Sequence, residues 1–315
     1  MHLGIDLGGT KIEIIAMDAD SNTLLRERRP TPQGDYSKIL DAICDMVNTT
    51  EDKLRQTHTF HQASLGIGIP GAIEHETGLV KNANTTCLIG KPLKSDLSKR
   101  MNRPISIAND ADCFTLSEAC DGAGRNYENV FGIILGTGVG GGITLNKTLL
   151  GGPNAITGEW GHNPLPWPSI QDHLTPCYCG KEGCIETFLS GPGISKQFSL
   201  LSAVSADTPL TLQPEKIFQL SESNHPIAVK CVTQYIDQLA RSLATVINIL
   251  DPDVIVFGGG LSNIDSLYSS VPLQLEHYIF SNTVNTKLIK AQHGDSSGVR
   301  GAAWLGKPHH LNIPH

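Results

Sequence analysis

Nowhere does the chain carry a run of about eighteen apolar residues, and it opens straight into Leu3-Gly4-Ile5-Asp6 without the basic and apolar segments of a secretory leader. The expectation is a soluble, cytoplasmic chain, in which the sequons at Asn48, Asn84 and Asn146 have no secretory context. Basic runs are also missing. With 24 Lys+Arg against 31 Asp+Glu the formal charge is −7, and nothing could neutralise a phosphate backbone or an anionic membrane surface, so neither nucleic acid nor membrane is an expected partner. A third absence is the Gly-x4-Gly-Lys-Ser/Thr pattern, which excludes a P-loop. Any hold on an anionic nucleotide must then be local: glycine-loop amides, a lysine and a metal.

At 315 residues the chain suits two domains of ordinary size. Apolar β-prone runs at Leu3-Ile5, Ile12-Ala16 and Ser64-Ile69 are interrupted by a helix predicted over Tyr36 to Arg55, with Ile39, Leu40, Ile43, Met46 and Val47 at helical spacing. Strands alternating with helices predict an α/β lobe. The run Pro104-Ala108 leads into Asn109-Asp110 and a helix over Ala111 to Ala119, which puts Asp110 at a strand end, where α/β sheets hold ligand groups. Beyond Gly122-Ala-Gly124 the pattern restarts with the strand Val130-Leu135, a glycine turn and a returning strand at Ile143-Leu145. Both Gly4-Thr10 and Gly132-Gly138 read as strand, glycine turn, strand, so two lobes built on one duplicated motif are expected. We expect an N-terminal lobe over 1–120, a second lobe over 121–297 and a helix at about 298–306 packing back on the first. A long amphipathic helix over Ile227 to Leu250 should stop at Asp251-Pro252 and lead into the strand Val254-Phe257 and Gly258-Gly259-Gly260.

Glycine loops bring backbone amides close to phosphate oxygens because no Cβ intervenes, which implies nucleotide binding at Gly8-Gly9 and at Gly136-Thr137-Gly138. The second loop formally satisfies the dinucleotide fingerprint Gly-x-Gly-x-x-Gly, but that fingerprint needs a helix next and here β-branched Ile143-Thr144 follows. Asp6, before the first loop, is suited to hold Mg²⁺ directly or through water, against the plain reading of a turn-stabilising Asp. Lys11 either reaches a phosphate or is simply solvated. Asp110 has the placement of a general base, against the plain reading of a helix N-cap.

The segment 158–191 concentrates further chemistry. His162, Cys177, Cys179 and Cys184 form a one-histidine, three-cysteine set suited to tetrahedral zinc with no position left open, hence a structural metal, against the alternative of unliganded thiols. Glu159 and Glu186 flank the first and last ligands, so closing the site would fix both. Cys44, Cys87, Cys113, Cys120 and Cys231 are scattered and read as small buried hydrophobes. His309, His310 and His315 lie in a Pro-rich tail and read as solvated.

Together, Asp6-Leu-Gly-Gly-Thr-Lys11, Gly68-Ile-Pro-Gly71, Asn109-Asp-Ala111, Gly136-Thr-Gly-Val-Gly140, Glu159-Trp-Gly-His162, Cys177-x-Cys179-x4-Cys184-x-Glu186 and Gly258-Gly-Gly260 resemble the ROK family of sugar kinases and repressors from Gly4 to about Leu305. The resemblance implies a two-lobed, duplicated actin/hexokinase-like (ribonuclease H-like) α/β fold with a cleft between lobes. It implies ATP phosphates at Gly8, Gly9, Thr10 and Lys11 and at Gly136, Thr137, Gly138 and Gly140, with Gly258, Gly259 and Gly260 near the adenosine. Asp110 would be the catalytic base, and Gly71, Asn84, Asn109, Glu159, His162 and Glu186 would bind the sugar beside it. His162 would serve zinc through one ring nitrogen and a sugar hydroxyl nearby. Lys81-Asn82-Ala83-Asn84, the stretch 158–167 and the stretch 293–304 resemble bacterial fructokinases of the mannose/fructose kinase type, with N-acetylglucosamine kinases near neighbours. The expected activity is therefore ATP-dependent phosphorylation of fructose at its 6-hydroxyl, with mannose as a further acceptor. An N-acetylglucosamine kinase or glucokinase is the alternative, a non-catalytic sugar sensor is the rival from another class, and a homodimer is the expected assembly. Because the first glycine loop begins at residue 4, no DNA-binding domain is expected before it.

Overall fold

The computed structural model describes residues 1–203, 211–307 and 311–312; the tail histidines His309, His310 and His315 lie outside them. Two compact units are formed. One gathers residues 1–128, 142–158 and the chain from Gln292 onward, the other residues 129–141 and the chain from Glu159 to Ala291.

The first unit opens with β1 (His2–Leu7) and β2 (Lys11–Met17), antiparallel in a register that sets Asp6 opposite Glu13, with β3 (Thr23–Pro30) beyond β2. Next comes α1 (Tyr36–Arg55), the helix expected from spacing; Asp35 caps it by accepting the Lys38 amide at 3.1 Å, and Ile39, Leu40, Ile43, Met46 and Val47 are buried. Strand β4 (Ser64–Ile69) lies parallel to β1, and a short hairpin of β5 (Ala72–Ile73) and β6 (Val80–Lys81) follows it. After α2 (Leu93–Met101), β7 (Ser106–Asn109) adds parallel to β4 and runs directly into α3 (Asp110–Cys120). The sheet order is β3-β2-β1-β4-β7. Strands β1 and β4 are almost wholly apolar and buried, as strands covered on both faces must be.

In the second unit β8 (Asn129–Leu135) meets a glycine turn and β9 (Val139–Leu145). The chain returns to the first unit within β9, whose end pairs with β10 (Thr148–Leu150). The returning strand thus starts at Val139, four residues before the β-branched pair that betrayed it, because the glycines of 140–142 pair as backbone alone. No helix follows this glycine loop, so the dinucleotide fingerprint is not realised. The second unit continues with α4 (Glu186–Leu189), α5 (Gly191–Ala203), α6 (Pro214–Glu222) and α7 (Pro226–Leu250), which ends where Asp251 takes a left-handed conformation (φ 48°) before Pro252. It closes with β11 (Val254–Gly258), parallel to β8, then α8 (Ser266–Leu275) and β12 (Lys287–Lys290), parallel to β11.

Helix α9 (Ser297–Leu305) belongs to the first unit and lies against β1 and β4. Two glycines make that approach possible: a Cβ on Gly4 would come 2.2 Å from the Val299 carbonyl oxygen, and one on Gly66 would come 1.9 Å from that of Ala302. A final pair of residues, β13 (Leu311–Asn312), runs parallel to β10. No helix among the described residues is long and apolar enough to cross a membrane.

Candidate active site

In the first unit the Gly8–Thr10 turn is closed by the Gly8 amide donating to Lys11 O at 3.0 Å. Two residues absent from the sequence reading fasten it. The Thr31 hydroxyl donates to Gly8 O at 2.7 Å, and the Gln33 amide donates to Gly9 O at 2.6 Å. Gly9, Thr10 and Lys11 are left exposed, as amides offered to an anion must be. Asp6 is partly buried beneath this turn, and its carboxyl is pushed up to about 6, first by burial and then by the charges of Asp110 and Glu13, against which Lys11 and Arg28 act.

Asn109 and Asp110 divide the work at the start of α3. The N-cap is Asn109, whose Oδ1 accepts the Ala111 amide at 2.8 Å while its Nδ2 donates to Gly71 O at 3.2 Å. Asp110 is therefore the first helical residue rather than the cap, although its Oδ1 also accepts the Ala111 amide at 2.9 Å. Its side chain opens to solvent on one side, while the protein crowded around the rest holds the carboxyl above its ordinary range against the pull of the Ala111 amide. Gly71 takes a φ of 153°, where a Cβ would come 2.7 Å from Lys81 O, and the Asn84 amide donates to Pro70 O at 3.2 Å. Gly71, Asn84 and Asn109 are thereby gathered around a single turn next to Asp110.

The four expected metal-binding residues of the second unit also converge. One ring nitrogen of His162 and the Sγ atoms of Cys177, Cys179 and Cys184 all lie within 4.8 Å of one another. Zinc bonds of about 2.3 Å to sulfur and about 2.0–2.1 Å to nitrogen imply tetrahedral edges of about 3.8 Å and about 3.6 Å. The observed Cys179–Cys184 and Cys177–His162 separations are both 3.6 Å, so the donor set and spacing fit that ion. The Cys177 amide donates to Lys181 O at 2.7 Å, and Gly180 (φ 88°) and Gly183 (φ 67°) supply the left-handed turns that fold the three thiols together. The Lys181 amide holds the Cys179 thiol below its usual range, whereas burial pushes Cys184 up to about 12. A further support had no strong signal in the sequence. Arg241, buried on α7, bonds both carboxylate oxygens of Asp172 at 3.1 Å and the carbonyls of Pro166 and Trp167 at 2.8 Å, which anchors the loop between His162 and Cys177. Arg241 sits two residues from both Leu239 and Leu243, off the apolar stripe of α7, where helical spacing marks a solvated cation.

Glu186 and Trp160 connect this segment to the second glycine loop. Glu186 Oε2 accepts the Val139 amide at 2.9 Å, and the buried Trp160 indole donates to Gly140 O at 3.0 Å. The loop's own turn is closed by the Gly136 amide donating to Gly138 O at 3.0 Å, and the Gly191 amide at the start of α5 donates to Gly136 O at 2.7 Å. Glu159 is exposed beside Trp160. Gly136, Thr137, Gly191, Pro192, Pro214 and Gly260 are among the residues lining one cavity of about 690 Å³, within the usual range of small-molecule sites. The second and third glycine segments thus face the same space. Gly259 (φ 79°) lets them meet, since a Cβ there would come 2.4 Å from Leu135 O.

Gly138 is a sensitive point in this arrangement, because a Cβ would come 2.7 Å from Glu186 Oε2. Gly138→Ala should displace that carboxylate from the Val139 amide and destabilise the protein by about 1.5–3 kcal/mol, the cost of one charge-assisted hydrogen bond. Urea unfolding checks this, and an unchanged midpoint would mean that the carboxylate swings aside freely.

Comparison with known proteins agrees with this architecture. A model of the ROK family matches residues 2–308. An N-acetyl-D-glucosamine kinase of Yersinia pseudotuberculosis serotype O:1b is 39% identical over 311 residues, covering 97% of this chain and 98% of the relative. One from Salmonella gallinarum is 40% identical over 310 residues, covering 97% of this chain and 99% of the relative. Among solved structures, a ROK hexokinase from Thermus thermophilus is 25% identical and superposes with a TM-score of 0.81 over 96% of this chain and 97% of its own. The match from strand β1 to helix α9, in sequence and in fold, makes this chain a member of the ROK family.

Proposed function

We propose that this chain transfers the γ-phosphoryl group of ATP to a hexose hydroxyl, and that the hexose is N-acetyl-D-glucosamine. The observation that carries the sugar is identity of about 40% over nearly the whole chain to relatives named for that activity. Those relatives are named N-acetyl-D-glucosamine kinases rather than fructokinases, so the expectation of fructose, with mannose beside it, gives way to the alternative. A ROK glucokinase from Streptomyces griseus, 25% identical with a TM-score of 0.72 over 96% of this chain, was solved with glucose and AMPPNP, which supports the pairing of hexose and adenine nucleotide.

In this reading Asp110, freed from cap duty by Asn109, takes the proton of the attacking hydroxyl. The hydroxyl oxygen forms its bond to the γ-phosphorus as the bond to the β-phosphate oxygen breaks, and ADP leaves. Exposed amides of Gly9 and Thr10, with Lys11, meet phosphate oxygens, and the 690 Å³ cavity beside Gly136 and Gly260 takes the adenosine. Mg²⁺, when bound with ATP, supplies charge compensation on the phosphates, and Asp6 is the acid placed to hold it. Gly71, Asn84, Asn109, Glu159, His162 and Glu186 are the proposed sugar contacts. His162, Cys177, Cys179 and Cys184 would hold a structural zinc, which would fix the last three of these in place.

The reading is tested by coupled ADP release with N-acetylglucosamine, glucose, mannose and fructose. N-acetylglucosamine should give a kcat/KM at least about tenfold above the others, a discrimination that one well-placed polar contact supplies. Preference for fructose would restore the fructokinase reading, and sugar binding without ADP release would favour a sensor.

A further inference from the structure

Each imidazole has two nitrogens, and a metal can take only one of them. In His162 the nitrogen facing the thiols is Nδ1, 3.6 Å from Cys177 Sγ. The other, Nε2, lies 2.9 Å from the hydroxyl of Tyr178, and the two rings meet edge to face with centroids 5.1 Å apart at 88°. Tyr178 stands between two of the thiols on the hairpin closed by the Cys177–Lys181 hydrogen bond and the Pro176–Glu182 bridge. It is 80% exposed, so hydrophobic burial does little to hold the ring against His162.

We propose that Tyr178 is a positioning residue for the metal centre in the sugar-free protein, its hydroxyl oxygen accepting the Nε2 proton of His162 until a sugar hydroxyl takes its place. The inference rests on the reading of the cluster as a zinc site. A neutral imidazole that gives its Nδ1 lone pair to a metal must carry its proton on Nε2, and that proton needs an acceptor. The phenol oxygen supplies one. It selects the metal-binding tautomer and, through the edge-to-face contact, sets the ring plane before the ion arrives. Tyr178 and Glu186 also line a common cavity of about 240 Å³, so the ring that orients His162 borders the space where a proposed sugar contact lies.

Tyr178→Phe is the discriminating variant, because it keeps the ring and its contact and removes only the acceptor. Zinc content is measured on the purified full-length protein, followed by zinc affinity against a chromophoric chelator and the ¹⁵N-coupled Nε2–H resonance of His162. With about one zinc per chain in the wild type, the variant should bind zinc roughly 10–100-fold more weakly, the usual consequence of losing a partner of a ligating histidine. Its Nε2–H signal should exchange faster while the circular dichroism spectrum is unchanged. Affinity within twofold of wild type would overturn the role of Tyr178 and leave the zinc reading standing. A wild-type protein that is active but takes up no zinc at all would overturn both.

Discussion

Asp110→Asn is expected to lower kcat by at least about 100-fold, the lower end of what removing a general base costs, with KM for the sugar changed only a few-fold. The asparagine keeps the size of the side chain and, through Oδ1, the hydrogen bond from the Ala111 amide, so α3 still starts in the same place. The cap itself is untouched because it belongs to Asn109. A control follows from the charge. The crowding of protein around Asp110 raises its carboxyl above the ordinary value, and a raised carboxyl stabilises the fold only while it is protonated. That contribution is complete below the unfolded value of about 4 and is lost as pH rises through the folded one. In magnesium-free buffer at about pH 8 the variant should therefore melt no lower than wild type, and the two should converge toward pH ~4. The acid limb of the wild-type kcat/KM profile should lie above the range of an unperturbed aspartate for the same reason. Thermal melts and initial rates decide the matter: near-wild-type turnover would remove Asp110 from its role, and a lower melting temperature at pH 8 would mark the loss as one of folding.

Cys184→Ser should have a comparable effect by a different route. Cys184 is buried, and its sulfur lies 3.6 Å from that of Cys179 inside the cluster. A serine hydroxyl is a poor zinc ligand that would have to ionise in a site where burial already pushes a thiol up to about 12. Zinc affinity should fall more than ~100-fold, beyond what loss of a supporting residue costs. The damage should spread to the cavity beside Gly136 and Gly260. Cys184 is followed at two residues by Glu186, whose carboxylate holds the amide after Gly138. KM values for sugar and ATP should therefore rise together while the first unit, which contributes no ligand, keeps its fold. Metal analysis with steady-state kinetics tests this. A variant without zinc that retains wild-type KM values would show that the cluster does not organise the site.

The difference between the two sites in how readable they were has a physical origin. The helix over Tyr36 to Arg55 and the strand running into Asn109-Asp110 were legible because burial of one face imposes a period of its own on the sequence. The clustering of His162, Cys177, Cys179 and Cys184 was legible because soft donors and left-handed turns require particular residues, Cys, His and Gly, at short range. Thr31 and Gln33, which fasten the first glycine turn, were not. Threonine and glutamine are at home on any surface, and their use here depends on chain arriving from 23 and 24 residues away. Tyr178 and Trp160 were assigned no role of their own from the sequence, yet each makes one specific hydrogen bond.

By itself the sequence determined the α/β alternation, the two glycine turns, the grouping of one histidine with three cysteines and the acid at a strand end, all of which are written in local spacing. Only the tertiary structure decided that Asn109 rather than Asp110 caps α3, that Glu186 and Trp160 clamp the second glycine loop, and that two glycine segments share one cavity. Those are pairings between residues far apart in the chain. Hydrogen-bond direction and close approach are set there by packing, and composition and periodicity carry no record of either.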